Sequence, residues 1–269
     1  RNIMNFYFAP LESITGHIYR NIYEKHFGGI DKYFTPFIAS KKMNRRELNE
    51  ILPEHNEGID VVPQILTNRA DEFLQITNKI AEYGYQTVNL NLGCPSPTVT
   101  TKGRGAAFLG RPEELREFFS QSFELIGKDT PDMIISVKTR LGTEDPDEIY
   151  DLVRLYNEFP ICEVIIHART LLEMYDGEAH AEVFASVLPE SVGGQFQRAL
   201  EARGIRCTTG SGEDLLKTEE REIAAKMLLQ QRQEQVQELK FHYLHRLRRK
   251  CFLQWRSQEN SEFRNPVLL

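Results

Sequence analysis

The chain has 269 residues, 41% hydrophobic and 27% charged, with a formal net charge of −6; this balance excludes wholesale disorder and fits one large α/β domain with a small appendage. No apolar run approaches the ~20 residues that cross a bilayer, so no membrane span and no membrane partner are expected. Four cysteines, Cys94, Cys162, Cys207 and Cys251, form no CxxC pair, which argues against a disulfide framework or zinc ribbon and predicts a reducing, cytoplasmic setting.

The opening Arg1-Asn2-Ile3-Met4-Asn5 reads as a trimmed or extended end, with Met4 the expected start. Short β-rich runs follow at 5–9, 33–38, 61–66, 87–92, 134–139 and 164–167. Between them the spacing predicts amphipathic helices at 70–83, 112–126 and 147–158, the last opening after Asp145-Pro146 with proline in its first turn. Strands of four to six residues separated by helices predict βα units and a parallel sheet. Their spacing matches the ~31 residues per unit of a (β/α)8 barrel, a TIM-barrel-like fold, although a doubly wound sheet has the same strand pattern.

Polar residues recur where these strands end. Gln64 closes one; Asn89, Asn91 and Cys94 cluster at the next; Lys138 and Arg140 end another; His167, Arg169 and Thr170 follow the sixth. In a barrel all these ends open on one face, where active sites are built. Taken singly, a strand-end Asn or Lys is an ordinary turn or surface residue, and only the recurrence argues for a site.

The residue types suggest a chemistry. Lys138 supplies a fixed cation for an anion such as a reduced flavin, an enolate or a phosphate. His167 donates hydrogen bonds and its charge is easily tuned, and Gln64 offers a donor and an acceptor to a heterocycle edge. Cys94 lies in the Gly/Pro turn Gly93-Cys94-Pro95, as a nucleophile, a proton donor or a small buried hydrophobe. Lys102-Gly103-Arg104-Gly105 is either a basic loop approaching a phosphate backbone or a solvated loop.

The motifs behind a family likeness are Phe8-Ala9-Pro10-Leu11-Glu12, Val62-Pro63-Gln64-Ile65-Leu66, Asn89-Leu90-Asn91-Leu92-Gly93-Cys94-Pro95-Ser96, Lys102-Gly103-Arg104-Gly105-Ala106, Ser136-Val137-Lys138-Thr139-Arg140-Leu141-Gly142 and Ile166-His167-Ala168-Arg169-Thr170. In this order, residues 4 to about 185 resemble the flavin-dependent tRNA-dihydrouridine synthases. The resemblance implies a TIM barrel that binds FMN, uses NADPH to reload it, and reduces a uridine of a tRNA partner. It implies that Pro10, Leu11 and Glu12 run along the flavin, that Gln64 meets its polar edge, that Lys138 stabilises the reduced anion and that His167 adds a cofactor contact. Hydride would reach C6 of a flipped-out uracil, and Cys94 would deliver a proton to C5. Asn91, Arg140, Arg169 and Tyr175 are the implied contacts to the target nucleotide.

Past residue 185 the family pattern stops. The Asn-Gly-Asp and Gly-Arg turns that would grip the FMN phosphate are missing from the remaining sequence, and Gly210-Ser211-Gly212-Glu213-Asp214 is either a substitute phosphate site or a plain helix cap. Three segments are therefore expected: a flavin barrel over 1–185, an irregular connection over 186–216 and a helical end over 217–269. Residues 219–256 carry nine Lys/Arg against five Asp/Glu, a local +4, whereas residues 1–218 carry −9. Val236, Leu239, Tyr243, Leu247 and Cys251 make an apolar stripe, and 241–256 resembles a centrin-binding helical repeat. This stretch either docks in the groove of a helix-binding protein partner, over 236–256, or covers a barrel edge. Two functions are carried forward: an FMN enzyme acting on tRNA, or a non-catalytic barrel whose terminal helix binds protein or RNA.

Overall fold

A computed structural model of the chain describes residues 5–187. The phosphate site or helix cap expected at 210–214, the helical end over 217–269 and the partner segment 236–256 lie outside the described residues.

The described elements alternate as the sequence predicts. They are β1 (Tyr7–Phe8), α1 (His17–His26), β2 (Lys32–Phe34), α2 (Arg45–Asn49), β3 (Val61–Val62), β4 (Gln64–Ile65), α3 (Ala70–Ala81), β5 (Thr87–Leu92), α4 (Pro97–Thr100), α5 (Pro112–Asp129), β6 (Ile134–Arg140), α6 (Glu148–Asn157), β7 (Glu163–His167) and α7 (Ala181–Val187). α1, α2, α4 and α7 are not among the expected elements.

Two prolines reshape the expected strands. The run at 33–38 shortens to β2, because Pro36 has no N–H for the ladder, and Ile38 rejoins only as an isolated bridge to Ile65. The run at 61–66 divides at Pro63 into β3, which pairs with β2, and β4, which pairs with β5. The Pro63 carbonyl still accepts from the Asn89 amide at 2.9 Å, so segment 61–65 serves as one strand shared by both hydrogen-bonded groups.

Every pairing is parallel, and the strands follow one another in chain order, β1-β2-β3 and then β4-β5-β6-β7. A doubly wound sheet reverses its order at a switch point, and no reversal occurs here. The architecture is α/β and barrel-like, an arc of six strand positions that corresponds to an incomplete TIM barrel.

The faces of the strands differ in chemistry. Val88, Leu90 and Leu92 of β5 and Ile135 and Val137 of β6 are buried in one apolar cluster with Phe73, Ile76 and Ile80 of α3 and Leu115, Phe118 and Phe119 of α5. Buried positions recur at three- and four-residue steps along α3 and α5, which is how an amphipathic helix covers a sheet. The alternate strand residues are polar. Asn89 lies beside Ser136, Asn91 beside Lys138, and Arg140 beside His167. Side chains alternate along a strand, so this polar row occupies the face opposite the helices.

Candidate functional site

The polar row is a connected network. Gln64 Nε2 donates to Asn89 Oδ1 at 2.8 Å, and Asn91 Nδ2 donates to Gln64 Oε1 at 2.7 Å. Asn89 Nδ2 donates in turn to Ser136 Oγ at 2.9 Å, and that hydroxyl donates to the Val88 carbonyl. Gln64 is only 1% exposed. Its acceptor and one amide hydrogen are thus held by protein, which leaves its second amide hydrogen for a ligand.

At the end of β5 the chain turns through Gly93 and Cys94, and each backbone polar group of this pair has a partner. The Gly93 and Cys94 amides donate to Asn91 Oδ1 at 3.0 and 2.9 Å. The Gly93 carbonyl accepts from Arg140 Nε at 2.8 Å, and the Cys94 carbonyl accepts from the Ala106 amide at 3.0 Å. Gly105 makes the last contact possible. It adopts φ +60°, and a Cβ there would meet the Cys94 carbonyl oxygen at 2.6 Å. The loop read as a phosphate approach therefore seats Cys94. Within it Arg104 is paired with Glu72 at 2.8 Å, and Gly103 offers its carbonyl to Arg111.

The Cys94 thiol is half-buried. Burial pushes its pKa up, against a backbone hydrogen bond from Ser96; Glu12 adds to the rise, while Arg140 and Lys138 oppose it. The group is held as a thiol at neutral pH, which suits proton donation better than nucleophilic attack.

Lys138, beside Asn91 in the ladder, has no carboxylate and no hydrogen-bond acceptor among the described residues. Burial, then the nearby Arg140 charge, lowers its pKa. An ammonium placed so is an incomplete ion pair awaiting an anion.

His167 ends β7. Its pKa is pulled down to about 4, chiefly by burial and then by Arg140, Lys138 and Arg169. The ring is neutral at pH 7, and Arg169 Nη1 lies 3.2 Å from Nε2. Guanidinium only donates, so Nε2 accepts and the ring proton sits on Nδ1, where it has no partner among the described residues.

After β1, Pro10 is half-buried and Leu11 is exposed. Glu12 pairs through Oε1 with Arg46, while its buried Oε2 has no partner. That orphan acceptor and the Arg46 contact carry no signal in the local sequence, since α2 lies 34 residues further on.

Two of the expected nucleotide contacts are engaged internally. Asn91 is 8% exposed and Arg140 is 1% exposed. Besides Gly93, Arg140 holds the carbonyls of Thr170 and Met174, each at 2.7 Å. The other two lie on the rim. Tyr175 is 64% exposed, with its ring 5.3 Å from the Arg140 guanidinium carbon and 6.1 Å from the His167 ring. Arg169 reaches the carbonyls of Asp176 and Gly177 at 3.3 and 2.8 Å.

The mouth therefore combines four side chains with a spare donor (Gln64, Asn91, Lys138 and His167), one spare acceptor (Glu12) and the Cys94 thiol. This set fits a carbonyl-rich heterocycle that carries or acquires negative charge. Among the described residues no helix is long and apolar enough to cross a membrane, and no group of three or more His, Cys, Asp and Glu side chains could hold a metal.

Residues 7–187 match the family described as dihydrouridine synthase (Dus). Over 186 residues the chain is 28% identical to a probable tRNA-dihydrouridine synthase of Staphylococcus epidermidis, covering 68% of this chain and 55% of that protein. Identity and coverage are the same against probable tRNA-dihydrouridine synthases of Staphylococcus aureus and, as probable tRNA-dihydrouridine synthase 2, of Bacillus subtilis. The chain spans about half the length of the curated relatives it matches.

Proposed function

Because the chain belongs to the dihydrouridine synthase family, we propose that it reduces a uridine of tRNA to 5,6-dihydrouridine, with FMN as cofactor and NADPH as the reductant that reloads it. The observation that carries this reading is that Cys94, in the turn after β5, and Lys138, beside Asn91 on the paired strand β6, lie at the same end of adjoining strands, with Lys138 lacking an acceptor among the described residues.

The residues present fit a flavin. Lys138 would offer a cation to an anionic ring system, Gln64 and His167 would offer hydrogens to its carbonyl edge, and Pro10, Leu11 and Glu12, after β1, would run along the ring. The orphaned buried Oε2 of Glu12 offers an acceptor. When bound and reduced by NADPH, FMN would supply the hydride that adds to C6 of the uracil. That addition leaves enolate-like charge on the base, and Cys94 discharges it by giving its proton to C5. A thiol with a raised pKa keeps that proton until the charge develops. Arg169 and the exposed ring of Tyr175 stand where an extruded base would enter, and Tyr175 presents a stacking surface.

The test is the visible spectrum and flavin content of the purified chain, followed by single-turnover oxidation of the reduced protein with unmodified tRNA. The expected result is near-stoichiometric flavin that weakens in Lys138→Ala. Cys94→Ala retains flavin but loses about 10²–10⁴-fold in the rate of uridine reduction. A colourless protein that takes up no added FMN would overturn the proposal, and would favour the non-catalytic reading suggested by the missing phosphate turns beyond residue 185.

A further inference from the structure

The loops that leave the strands at the Cys94 end differ in charge from one side of the arc to the other. After β2, residues 35–46 carry Lys41, Lys42, Arg45 and Arg46 with no acid, and after β5, residues 93–111 carry Lys102, Arg104 and Arg111 with no acid. After β6, residues 141–147 carry three acids and no base, and after β7, residues 168–178 carry three acids against Arg169 alone. The strands are parallel and follow chain order, so all these loops leave at one end. The basic loops flank the turn after β4, and the acidic loops adjoin each other.

The basic side is one connected surface. Lys41 Nζ meets Asp71, in the first turn of α3, at 2.7 Å, and Arg69 Nε meets the same carboxylate at 3.1 Å. Asn68 Nδ2 donates to the Lys102 and Gly103 carbonyls, each at 3.3 Å. The cations of this surface fall into two groups. Lys41, Arg46, Arg104 and Arg111 are spent on carboxylates or carbonyls that hold the loops. Lys42, Arg45 and Lys102 are exposed and have no carboxylate or other acceptor among the described residues. We propose that the phosphate backbone of the substrate RNA crosses the mouth on this side, over Lys42, Arg45 and Lys102, and is kept off the acidic side after β6 and β7. The inference rests on tRNA as the substrate and adds the face on which its strand lies.

Charges are screened beyond about 8 Å at physiological ionic strength, so the acidic charge carried elsewhere on the body does not cancel this patch. A cation without a carboxylate partner gives up no ion pair when it meets a phosphate, and the counterions it displaces from the RNA favour binding. The patch also lies close to the chemistry. Gly105 packs against the Cys94 carbonyl, and Lys102 is three residues from Gly105, within about 11 Å of chain. A backbone seated on Lys102 is therefore held beside the turn that carries the thiol, where a flipped-out base is needed.

The test is binding of the full-length chain to an unmodified tRNA transcript, measured against salt concentration. Combining Lys42→Gln, Arg45→Gln and Lys102→Gln is expected to weaken binding at least about tenfold and to reduce the slope of log affinity against log salt by about 2–3. Lys79→Gln with Lys128→Gln, in the last turns of α3 and α5 at the other end of the strands, keeps affinity within about twofold. In the unsubstituted chain, lysine acetylation read by peptide mass spectrometry is expected to fall at least about threefold at Lys42 and Lys102 when tRNA is bound, and to hold steady at Lys79 and Lys128. A triple variant with wild-type affinity and slope would overturn the proposal, as would equal losses in the two sets, RNA binding without protection of Lys42 and Lys102, or no RNA binding at all. Flavin content of the same preparation separates the two readings. A colourless chain whose RNA lies on Lys42 and Lys102 defeats the proposed activity and keeps the surface, whereas a flavin-bearing chain that reduces tRNA but fails these tests does the reverse.

Discussion

Tyr7 Oη donates to Glu163 Oε1 at 2.7 Å, joining the first described strand to the last across 156 positions of sequence. Lys32 Nζ reaches both oxygens of the same carboxylate at 3.1 Å and lies 4.5 Å from the Tyr7 ring centroid. All three residues begin their strands, so the contact holds the arc together at the end away from Cys94. No hydrogen-bonded ladder joins the first and last of the described strands, and this polar clasp links them through side chains.

Glu163→Gln is expected to cost about 1–2 kcal/mol, because Lys32 then keeps a half-buried charge without its partner. Adding Lys32→Met recovers part of the loss, since the two residues share one interaction. Urea unfolding of the two single variants and the double variant measures the coupling, and strict additivity would deny the clasp.

Lys138→Met separates stability from function. The side chain is half-buried without a carboxylate among the described residues, so its removal is expected to raise the Tm of the flavin-free protein by about 2–6 °C. The same change lowers FMN affinity at least about tenfold, because the missing anion partner is what the ligand supplies. Calorimetry and flavin titration on one preparation give both numbers.

His167 sets an acid limit. Its folded pKa of about 4 lies below the ordinary 6.5, so the unfolded chain binds a proton that the folded chain refuses between these values. Its contribution to stability is full above about pH 6.5 and is lost as pH falls toward 4. Allowing for the half-exposed ring, the loss is about 1–2 kcal/mol. His167→Asn should flatten this part of the pH–stability curve, as read by denaturant midpoints at each pH.

Gly105→Ala should damage the site and Gly103→Ala much less. Both glycines have positive φ, but the Cβ at 105 meets the Cys94 backbone carbonyl at 2.6 Å, whereas at 103 it meets the movable end of Arg111. The expected costs are about 2–3 kcal/mol and about 1 kcal/mol. Thermal melts rank the two, and Cys94 alkylation should change only in Gly105→Ala.

Much of the framework was legible in the sequence. The expected strand at 87–92 is β5 to the residue, because Thr-Val-Asn-Leu-Asn-Leu alternates in strict period two. The helices at 70–83, 112–126 and 147–158 appear with shifts of a few residues at their ends. α1 escaped because it is rich in polar residues and buries Arg20 while Ile18 and Ile22 are exposed, so its apolar residues do not mark the covered face. The division of 61–66 escaped for a different reason. Pro63 lacks one ladder hydrogen, but its effect depends on which strands flank it.

The sequence by itself determined the order of the strands and the residue types gathered at their ends, since side-chain alternation and β propensity act over a few neighbouring residues. Only the tertiary structure decided which of those polar groups remain free. Asn91 and Arg140 read locally as ligand contacts, yet several of their hydrogen bonds go to Gln64, Gly93, Cys94, Thr170 and Met174. Lys138 reads as an ordinary strand-end cation, yet it meets no acceptor among the described residues. A donor or acceptor is spent or spared by partners on other strands, tens of residues away, and that balance exists only once the strands lie side by side.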